Sequence, residues 1–346
     1  MRTLTVKTAI GSASAAALLA GLTVGGSVHA NTELAWATSS VGSGGHAVKV
    51  DLMALLNREW EGYSITVMPT AGAVATVRGY ALGEFDGFYG ADVAFHELAD
   101  DGGRFEGFRD QMEREPVQSF WAYTMEVGLA VSADDLDDYE GWRDLGGEAV
   151  FTGPAPWDVR AQLERAMEAA EVGHEYTEID IDIAGSSLNE GTIKAFNAYT
   201  TGQASLAPWV NEAMLSSDAA ILNPSDEERQ MIEDAGMEVV SIDPDVYDTD
   251  IHVDEALAVP FFYGFHLGPD VPEEDLYEML TIIHENSDEL REVNASFAQI
   301  DDDMVDLQRR GIVASGGTVP IHPGLARFLQ EHDAWDDEWD DWIYDE

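Results

Sequence analysis

Short apolar runs alternate with helical segments along most of this chain, and each unit has the same order of strand, small-residue loop and helix. The first unit is predicted as a strand at 33–38, a Gly/Ser loop and a helix at 47–60. The same order recurs over 63–82, and a third unit begins at 87–90 with a helix from residue 92. Serial βα units need a crossover between neighbouring parallel strands. The alternation therefore predicts an α/β fold with helices on both faces of mostly parallel sheets.

Two apolar runs, 119–131 and 256–268, are too long for one ordinary strand. Between them lies a second set of segments, which includes helices predicted at 158–171 and 189–199. We expect the chain to leave one lobe, build a second and return, which leaves a cleft at the hinge where a ligand can be enclosed. The predicted lobes are 31–122 plus 261–346 for lobe 1 and 123–260 for lobe 2.

The first 30 residues have the pattern of a secretory signal peptide. Arg2 and Lys7 make the start basic, Ala13–Val24 is apolar, and Val28-His29-Ala30 is a small-residue cleavage site. We expect cleavage near Ala30 and a periplasmic location. The chain has no cysteine, which excludes disulfides, thiolate metal sites and a cysteine nucleophile.

The charge of the chain is extremely acidic: 17 basic and 67 acidic side chains among 346 residues give a formal net charge of −50. Because a protein that binds phosphates along a backbone needs basic residues, nucleic acid is excluded as an expected partner. Such an excess is typical of a halophilic protein, whose self-repulsion is screened within about 3 Å in 1 M salt. An acidic protein from an ordinary habitat is the alternative. We expect a monomer.

Motifs of common enzymes are absent from the sequence, including the nucleophile elbow, the zinc-protease helix, the phosphate loop and the dinucleotide-binding glycines. Aspartate clusters at 243–250 and 301–303 do not match a calcium loop, and we expect them to be solvated surface. We therefore expect no enzyme activity, metal or cofactor. A secreted hydrolase with paired carboxylates is a remote alternative.

Three loops of small and hydroxyl-bearing residues precede predicted helices and suit an anionic ligand. The unpaired N–H groups and positive dipole end of a helix N-terminus hold anions without any lysine. These loops are the first loop, Ser39–Gly45, the second loop, Thr70–Ala73, and the third loop, Ala184–Ser187. The candidate ligand-binding residues at these loops are Ser39, Ser43, Gly44, Gly45, His46, Thr70, Gly72, Ala73 and Ser186.

Basic residues are so scarce here that those close to a loop are candidate partners of a carboxylate. Arg78 and Arg160 lie in helices that follow such turns, and an arginine binds a carboxylate through two parallel hydrogen bonds. Lys49 and Lys194 occupy comparable positions. A salt bridge to one of the many acidic residues is the alternative role for each.

Aromatic residues offer a different kind of site. Clustered in a cleft wall, they would form a cage for a quaternary ammonium such as betaine, although core packing is their usual role. The candidates are Trp157 and Trp209, together with Trp121 and Tyr123. The residues thus leave a small carboxylate and a compatible solute open as ligands.

Several stretches resemble the TAXI receptors of TRAP transporters, which hand a solute to an ion-coupled membrane permease. They follow the order of that family along both halves of the chain: Leu55-Leu56-Asn57, Thr66–Val74, Gly83–Asp86, Asp92–Phe95, Leu267–Leu280 and Val319–Phe328. The chain departs from the family at Gly45-His46, where two tyrosines are usual, and at Pro156–Val159, where a G-S-G-T-like turn is usual.

The resemblance implies a fold, a partner and a ligand class. The fold is that of the type II periplasmic binding proteins, with two α/β lobes joined by long crossing strands. The implied partner is a TRAP membrane permease, and the implied ligands are glutamate, 2-oxoglutarate and related carboxylates. An ABC-type receptor for a compatible solute shares this fold and is the alternative.

The acidic C-terminal segment contains three tryptophans at helical spacing. Intervals of four and three residues place Trp335, Trp339 and Trp342 on one stripe of a helix. We expect this stripe to pack on the protein's own surface, with docking on the permease as the alternative.

Overall fold

A computed structural model describes residues 31–41 and 43–345 of the chain. The signal peptide predicted for residues 1–30 lies outside the described residues, as does Gly42 of the first loop. From residue 31 onward the chain forms one compact unit. None of the described helices is long and apolar enough to cross a membrane.

The described elements alternate between strands and helices through most of the chain. The strands are β1 (Thr32–Thr38), β2 (Tyr63–Pro69), β3 (Gly87–Ala91), β4 (Trp121–Val127), β5 (Leu129–Ser132), β6 (Ala149–Phe151), β7 (Glu175–Tyr176), β8 (Ala195–Asn197), β9 (Thr200–Thr201), β10 (Ser205–Leu206), β11 (Ala219–Leu222), β12 (Val240–Ile242) and β13 (Ala256–Leu267). The helices are α1 (Gly44–Glu59), α2 (Ala73–Ala81), α3 (Asp92–Ala99), α4 (Asp158–Ala169), α5 (Ala184–Asn189), α6 (Pro208–Ser217), α7 (Asp226–Asp234), α8 (Glu273–Glu285), α9 (Ser287–Val293), α10 (Ala298–Ser315) and α11 (Pro323–Glu331).

The strands form two mixed sheets within the described residues. The first sheet has the order β10-β9-β4-β13-β3-β1-β2, with β12 added beside β13, and the second has the order β11-β5-β8-β6-β7. β1 is parallel to β2 and β3, whereas β13 is antiparallel to both β3 and β4. The predicted α/β class and two-lobed architecture are confirmed. The prediction of mostly parallel sheets is wrong, because β13 runs antiparallel to β3, β4 and β12, and β5 runs antiparallel to β8 and β11.

The first long apolar run carries the chain from one sheet to the other. β4 belongs to the first sheet and β5 to the second, and Gly128 lies between them. The second long run, β13, is a single strand that pairs with β4 and β3 in the centre of the first sheet. The exact lobe boundaries stay a prediction.

The predicted helix at 189–199 is wrong, and so is the third loop. Residues 184–187 lie inside α5, which ends near Gly191, a residue with a φ of +70°. The segment that follows is β8, which is buried and paired on both edges, with β5 and with β6. Pairing on both edges overrides the helical pattern of this short segment.

The C-terminal segment packs on the protein's own surface, as expected. The Ile321 amide donates to the Trp342 carbonyl (2.7 Å), and the Tyr344 amide donates to the Ile321 carbonyl (2.8 Å). Trp339 is buried, and its ring meets that of Trp335 edge-on at 5.4 Å. The predicted helical stripe is wrong in detail, because residues 337–342 form a 3-10 helix.

The segment 319–328, which resembles the closing segment of TAXI receptors, joins α11 to α8. The His322 side chain begins α11 by accepting a hydrogen bond from the Gly324 amide (3.0 Å), and its other ring nitrogen lies 3.0 Å from the Val271 carbonyl oxygen. Burial lowers the pKa of His322 to about 4. A Cβ on Gly324 would lie 2.7 Å from the Glu273 carbonyl, so only glycine permits this approach. The motif therefore has a structural explanation in the packing of two helices.

Candidate functional site

The first and second loops lie side by side at one edge of the first sheet. β1 and β2 are adjacent and parallel, and their last residues, Thr38 and Pro69, are register partners. The amide and the hydroxyl of Thr70 both donate to the Thr38 carbonyl, at 2.8 Å and 3.0 Å. The two loops predicted to share a ligand are thus brought together, as neighbouring βα units require.

The first loop leads into the N-terminus of α1. The Ser43 hydroxyl accepts from the His46 amide (3.2 Å) and lies 2.6 Å from the Ser39 hydroxyl. Since the first amides of a helix have no intrahelical acceptor, those of Gly44 and Gly45 point out of the helix end. These amides and the Ser39 hydroxyl make a set of donors for an anion.

Gly45 is required here by a close approach. A Cβ on Gly45 would lie 2.8 Å from the Tyr89 hydroxyl oxygen and 2.9 Å from Ser39 Oγ. The glycine lets the phenol of Tyr89 reach the start of α1. Tyr89 is therefore a residue of the first sheet whose side chain lies directly against the end of the first loop.

Three buried tyrosines from the central strands of the first sheet form a cluster next to this loop. The hydroxyls of Tyr89 and Tyr123 lie 2.6 Å apart, and the rings of Tyr89 and Tyr263 stack at 4.5 Å. Burial raises the pKa of all three phenols above the ordinary value, so they stay neutral and can donate hydrogen bonds. Such donors suit a carboxylate better than a cation.

One buried carboxylate joins this cluster to the second sheet's side of the molecule. Asp158, the first residue of α4, accepts from the Tyr263 hydroxyl (2.6 Å) and from Arg104 Nη1 (2.5 Å). Arg104 also donates through Nε to Glu97 (2.7 Å). Burial raises the pKa of Glu97, although Arg104 opposes that shift. We call the Asp158, Arg104 and Tyr263 contacts the Asp158 bridge.

A cavity of about 690 Å³ is lined by Arg104 of the Asp158 bridge but by none of the three tyrosines. Arg104 contributes to one wall, and Arg160 of α4 contributes to another. The Arg160 guanidinium stacks on the Tyr176 ring at 3.7 Å. The structure thus places Arg160 in the same cavity as Arg104, which is linked to Tyr263 through Asp158.

Two of the predicted basic partners are used inside the fold. Arg78 donates to the Arg104 carbonyl (2.6 Å) and packs on Phe105 and Phe108, so it supports the segment after α3. Lys49 is fully buried, with its Nζ 3.0 Å from the centre of the Trp36 ring. Burial lowers the pKa of Lys49 well below its ordinary value.

The predicted aromatic cage is not assembled, because its members belong to different cores. Trp121 packs against Phe95 and His266 in the first sheet. Trp209 is buried under the second sheet, and its indole donates to the Tyr199 hydroxyl (3.0 Å). Of the four candidates only Tyr123 lies in the tyrosine cluster.

Trp157 and Ser186 are also apart from the loops. Trp157 is half-buried at the residue before α4, next to Asp158 in the chain. Ser186 is exposed on α5, and its hydroxyl donates to the Ile183 carbonyl (3.0 Å). Since α5 is a short helix and not a loop before one, the reason for choosing Ser186 does not hold.

Sequence reasoning missed Tyr89, Tyr263, Arg104 and Asp158. A signal for the two tyrosines exists, because the tripeptide Phe-Tyr-Gly occurs at 88–90 and again at 262–264. No comparable signal marks Arg104 or Asp158, whose contact depends on the packing of α4 against the segment after α3. Within the described residues, no cluster of three or more side chains could hold a metal ion.

Residues 36–332 match the NMT1-like family over most of the chain. The chain belongs to this family. No curated protein matches the sequence of this NMT1-like protein. The match identifies the NMT1-like family and not the TAXI receptors specifically, so the TAXI resemblance stays a prediction.

The NMT1-like protein is also similar to solved periplasmic and import-system binding proteins. It is 13% identical to the periplasmic aliphatic sulphonate binding protein SsuA from Escherichia coli, with a TM-score of 0.42 over 87% of this chain and 84% of that one. It is 11% identical to MatC from Rhodopseudomonas palustris with bound malate (TM-score 0.47; 87% and 98%). It is 10% identical to the ligand-binding component of an ABC-type import system from Staphylococcus aureus with zinc bound (TM-score 0.44; 91% and 97%).

Proposed function

We propose that this NMT1-like protein is an extracytoplasmic solute-binding receptor that encloses one small carboxylate between its two lobes. The Asp158 bridge is the observation that carries the proposal. It fastens the start of α4 to Arg104 and Tyr263, and Tyr263 stacks on the tyrosine that underlies the first loop. A hinge that closes over donor-rich loops in this way is suited to capture and release rather than to turnover.

The first and second loops supply the donors for the ligand. The amides at the start of α1, the Ser39 hydroxyl and the neutral phenol of Tyr89 converge on the space beside Gly45. In the second loop the Thr70 hydroxyl accepts from the Gly72 amide and shares its hydrogen between the Thr38 and Gly72 carbonyls. The amides at the start of α2 are therefore the available donors there. A carboxylate satisfies several of these donors at once without a lysine.

The membrane partner in this proposal is a TRAP-type permease, and glutamate and 2-oxoglutarate are the leading ligands. The resemblance of 319–328 and 66–74 to TAXI receptors supports both choices. The receptor would be a periplasmic monomer whose signal peptide is removed near Ala30.

Isothermal titration calorimetry of the chain from residue 31 tests the ligand class. The buffer is molar salt, which screens the acidic surface. We expect saturable binding of glutamate or 2-oxoglutarate, weakened about tenfold by Ser39→Ala and by Tyr89→Phe, since each removes one hydrogen bond. Tyr277→Phe is the matched control, because that hydroxyl bonds Glu331 on the exposed surface and its loss leaves the site intact.

Two results would overturn the proposal. Binding of betaine with no binding of any carboxylate would favour the ABC-type receptor for a compatible solute. Chemical conversion of the titrant would favour the hydrolase.

A further inference from the structure

The cavity behind the Asp158 bridge has walls from both sides of the molecule. Glu97, Gly103 and Arg104 come from the end of α3 and the segment after it, whereas Arg160 and Arg165 come from α4. We call this space of about 690 Å³ the junction cavity. Its size is that of an ordinary small-molecule site.

Hydrogen-bond donors in the junction cavity lack acceptors. Within the described residues, buried Arg104 Nη2 and Arg160 Nε have no hydrogen-bond partner. Arg160 Nε lies 3.5 Å from Glu164 Oε1 without hydrogen-bond geometry, and the His174 ring is in the same situation 3.3 Å from Glu164 Oε2. Buried donors without acceptors are uncommon in folded proteins, and each one requires an explanation.

Of the three arginines that line the junction cavity, Arg165 has the most unusual surroundings. In the part of the chain that the structure describes, the other arginines form ion pairs or, like Arg78 and Arg109, donate to a backbone carbonyl. Arg165 does neither, although it lines the cavity and the chain has 67 acidic residues. Burial raises the pKa of Asp92 and the charge of Arg165 opposes that shift, yet no carboxylate among the described residues bonds the half-buried guanidinium, which leaves its N–H donors available to an anion from solution.

The acidic residues of the junction cavity do not supply that partner. Glu97 is bound to Arg104, and Glu164 accepts from the Thr152 hydroxyl (2.6 Å). Glu168 and Glu171 are exposed, and neither forms an ion pair with a described residue. The unsatisfied donors are therefore concentrated inside the cavity, with the free carboxylates towards solvent.

We propose that the junction cavity binds a small oxyanion, of the phosphate or polycarboxylate type, at a second site distinct from the loops. Guanidinium groups match the geometry of such anions through paired N–H donors. Because Arg104 follows α3 and Arg165 lies on α4, an anion bound by both guanidinium groups links these two segments.

Calorimetry with inorganic phosphate, and separately with citrate, tests the second site in constant molar potassium chloride. We expect saturable binding at millimolar anion, weakened at least tenfold by Arg165→Gln. We expect this variant to keep its fold because Arg165 forms no hydrogen bond or ion pair with a described residue, and unfolding monitored by circular dichroism checks that. Arg229→Gln, which alters an exposed i,i+4 pair on α7, is the matched control and should bind as the unchanged protein does.

A Ser39→Ala variant separates this site from the loops. We expect it to bind phosphate normally even if its affinity for glutamate is reduced. The proposal is overturned if the unchanged protein binds neither anion, if Arg165→Gln binds as tightly as the control, or if Ser39→Ala rather than Arg165→Gln abolishes binding.

Discussion

The two walls of the cleft are built in different ways. The wall from the first sheet presents two loops, helix-end amides and three buried tyrosines, all positioned by the neighbouring strands β1, β2, β3, β4 and β13. The facing wall contributes one buried carboxylate, Asp158, at the start of α4. In the proposed receptor, recognition is thus distributed over many groups on one wall, while the other wall contributes the acceptor of the Asp158 bridge. Substitutions on the two walls should therefore have different consequences.

The largest effect is expected from Asp158→Ala, which removes the buried acceptor of the Asp158 bridge. The change leaves Arg104 and the Tyr263 hydroxyl without their acceptor in a buried site, which should cost about 3 kcal/mol of unfolding free energy. Chemical denaturation in molar salt measures this loss. Asp226→Ala is the matched control, because Asp226 is also the first residue of a helix but is exposed, and it should cost less than about 1 kcal/mol. Equal losses in the two variants would contradict the role of the bridge.

A smaller effect is expected from Gly45→Ala on the first wall. The added Cβ would meet the Tyr89 hydroxyl at 2.8 Å, so the start of α1 must shift at a cost of about 2 kcal/mol. The shift should also weaken carboxylate binding in calorimetry. Gly44→Ala adds the same methyl group where nothing lies within 4 Å, and it should leave both stability and binding nearly unchanged. Equal behaviour of the two variants would show that Tyr89 does not constrain the loop.

The loops of the first wall were largely predictable from the sequence, because β1 and β2 are seven residues long and each is followed by a loop and a helix. β1, α1, β2 and α2 lie within a few residues of their predicted positions, and the adjacency of the two loops follows from parallel pairing. The second sheet was less predictable, since β7 and β8 have only two or three residues and carry too little periodicity to identify.

The side chains of the site were harder to predict than the loops. Tyr89 and Tyr263 lie in β3 and β13, which are buried almost throughout, and a buried strand looks the same in sequence whether its residues serve the core or a site. Asp158 and Arg104 are far apart in the chain, and their pairing exists only after α4 has packed. With 67 acidic residues present, no sequence pattern distinguishes Asp158, the buried carboxylate of the bridge.

The smallest effect concerns Lys49, which lies one turn into α1 beneath the first wall. Its Nζ has no hydrogen-bond partner among the described residues, so Lys49→Met should stabilise the protein by about 1 kcal/mol at neutral pH. Burial lowers the folded-state pKa of Lys49, so below the ordinary lysine pKa of about 10.4 the unfolded chain binds a proton that the folded chain does not. The lysine protein therefore gains stability as pH rises.

Denaturation of both proteins between neutral pH and about pH 9.5, below the ordinary tyrosine pKa near 10, measures this dependence. The advantage of Lys49→Met should shrink as pH rises. Lys194→Met is the control, since Lys194 is only half-buried and is paired with Asp135. An advantage that grows with pH would mean that the buried amine is charged in the folded protein.

Closure of the two walls around a carboxylate can be measured directly, because the cysteine-free chain accepts spin labels at any two introduced cysteines. Val41→Cys labels the exposed tip of the first loop, and Ala155→Cys labels the exposed turn before α4. Pulsed electron paramagnetic resonance then gives the distance between the walls with and without glutamate or 2-oxoglutarate in molar salt. We predict a shorter and narrower distance distribution with the ligand, lost when Asp158→Ala is added. A distribution that no carboxylate changes would contradict the account.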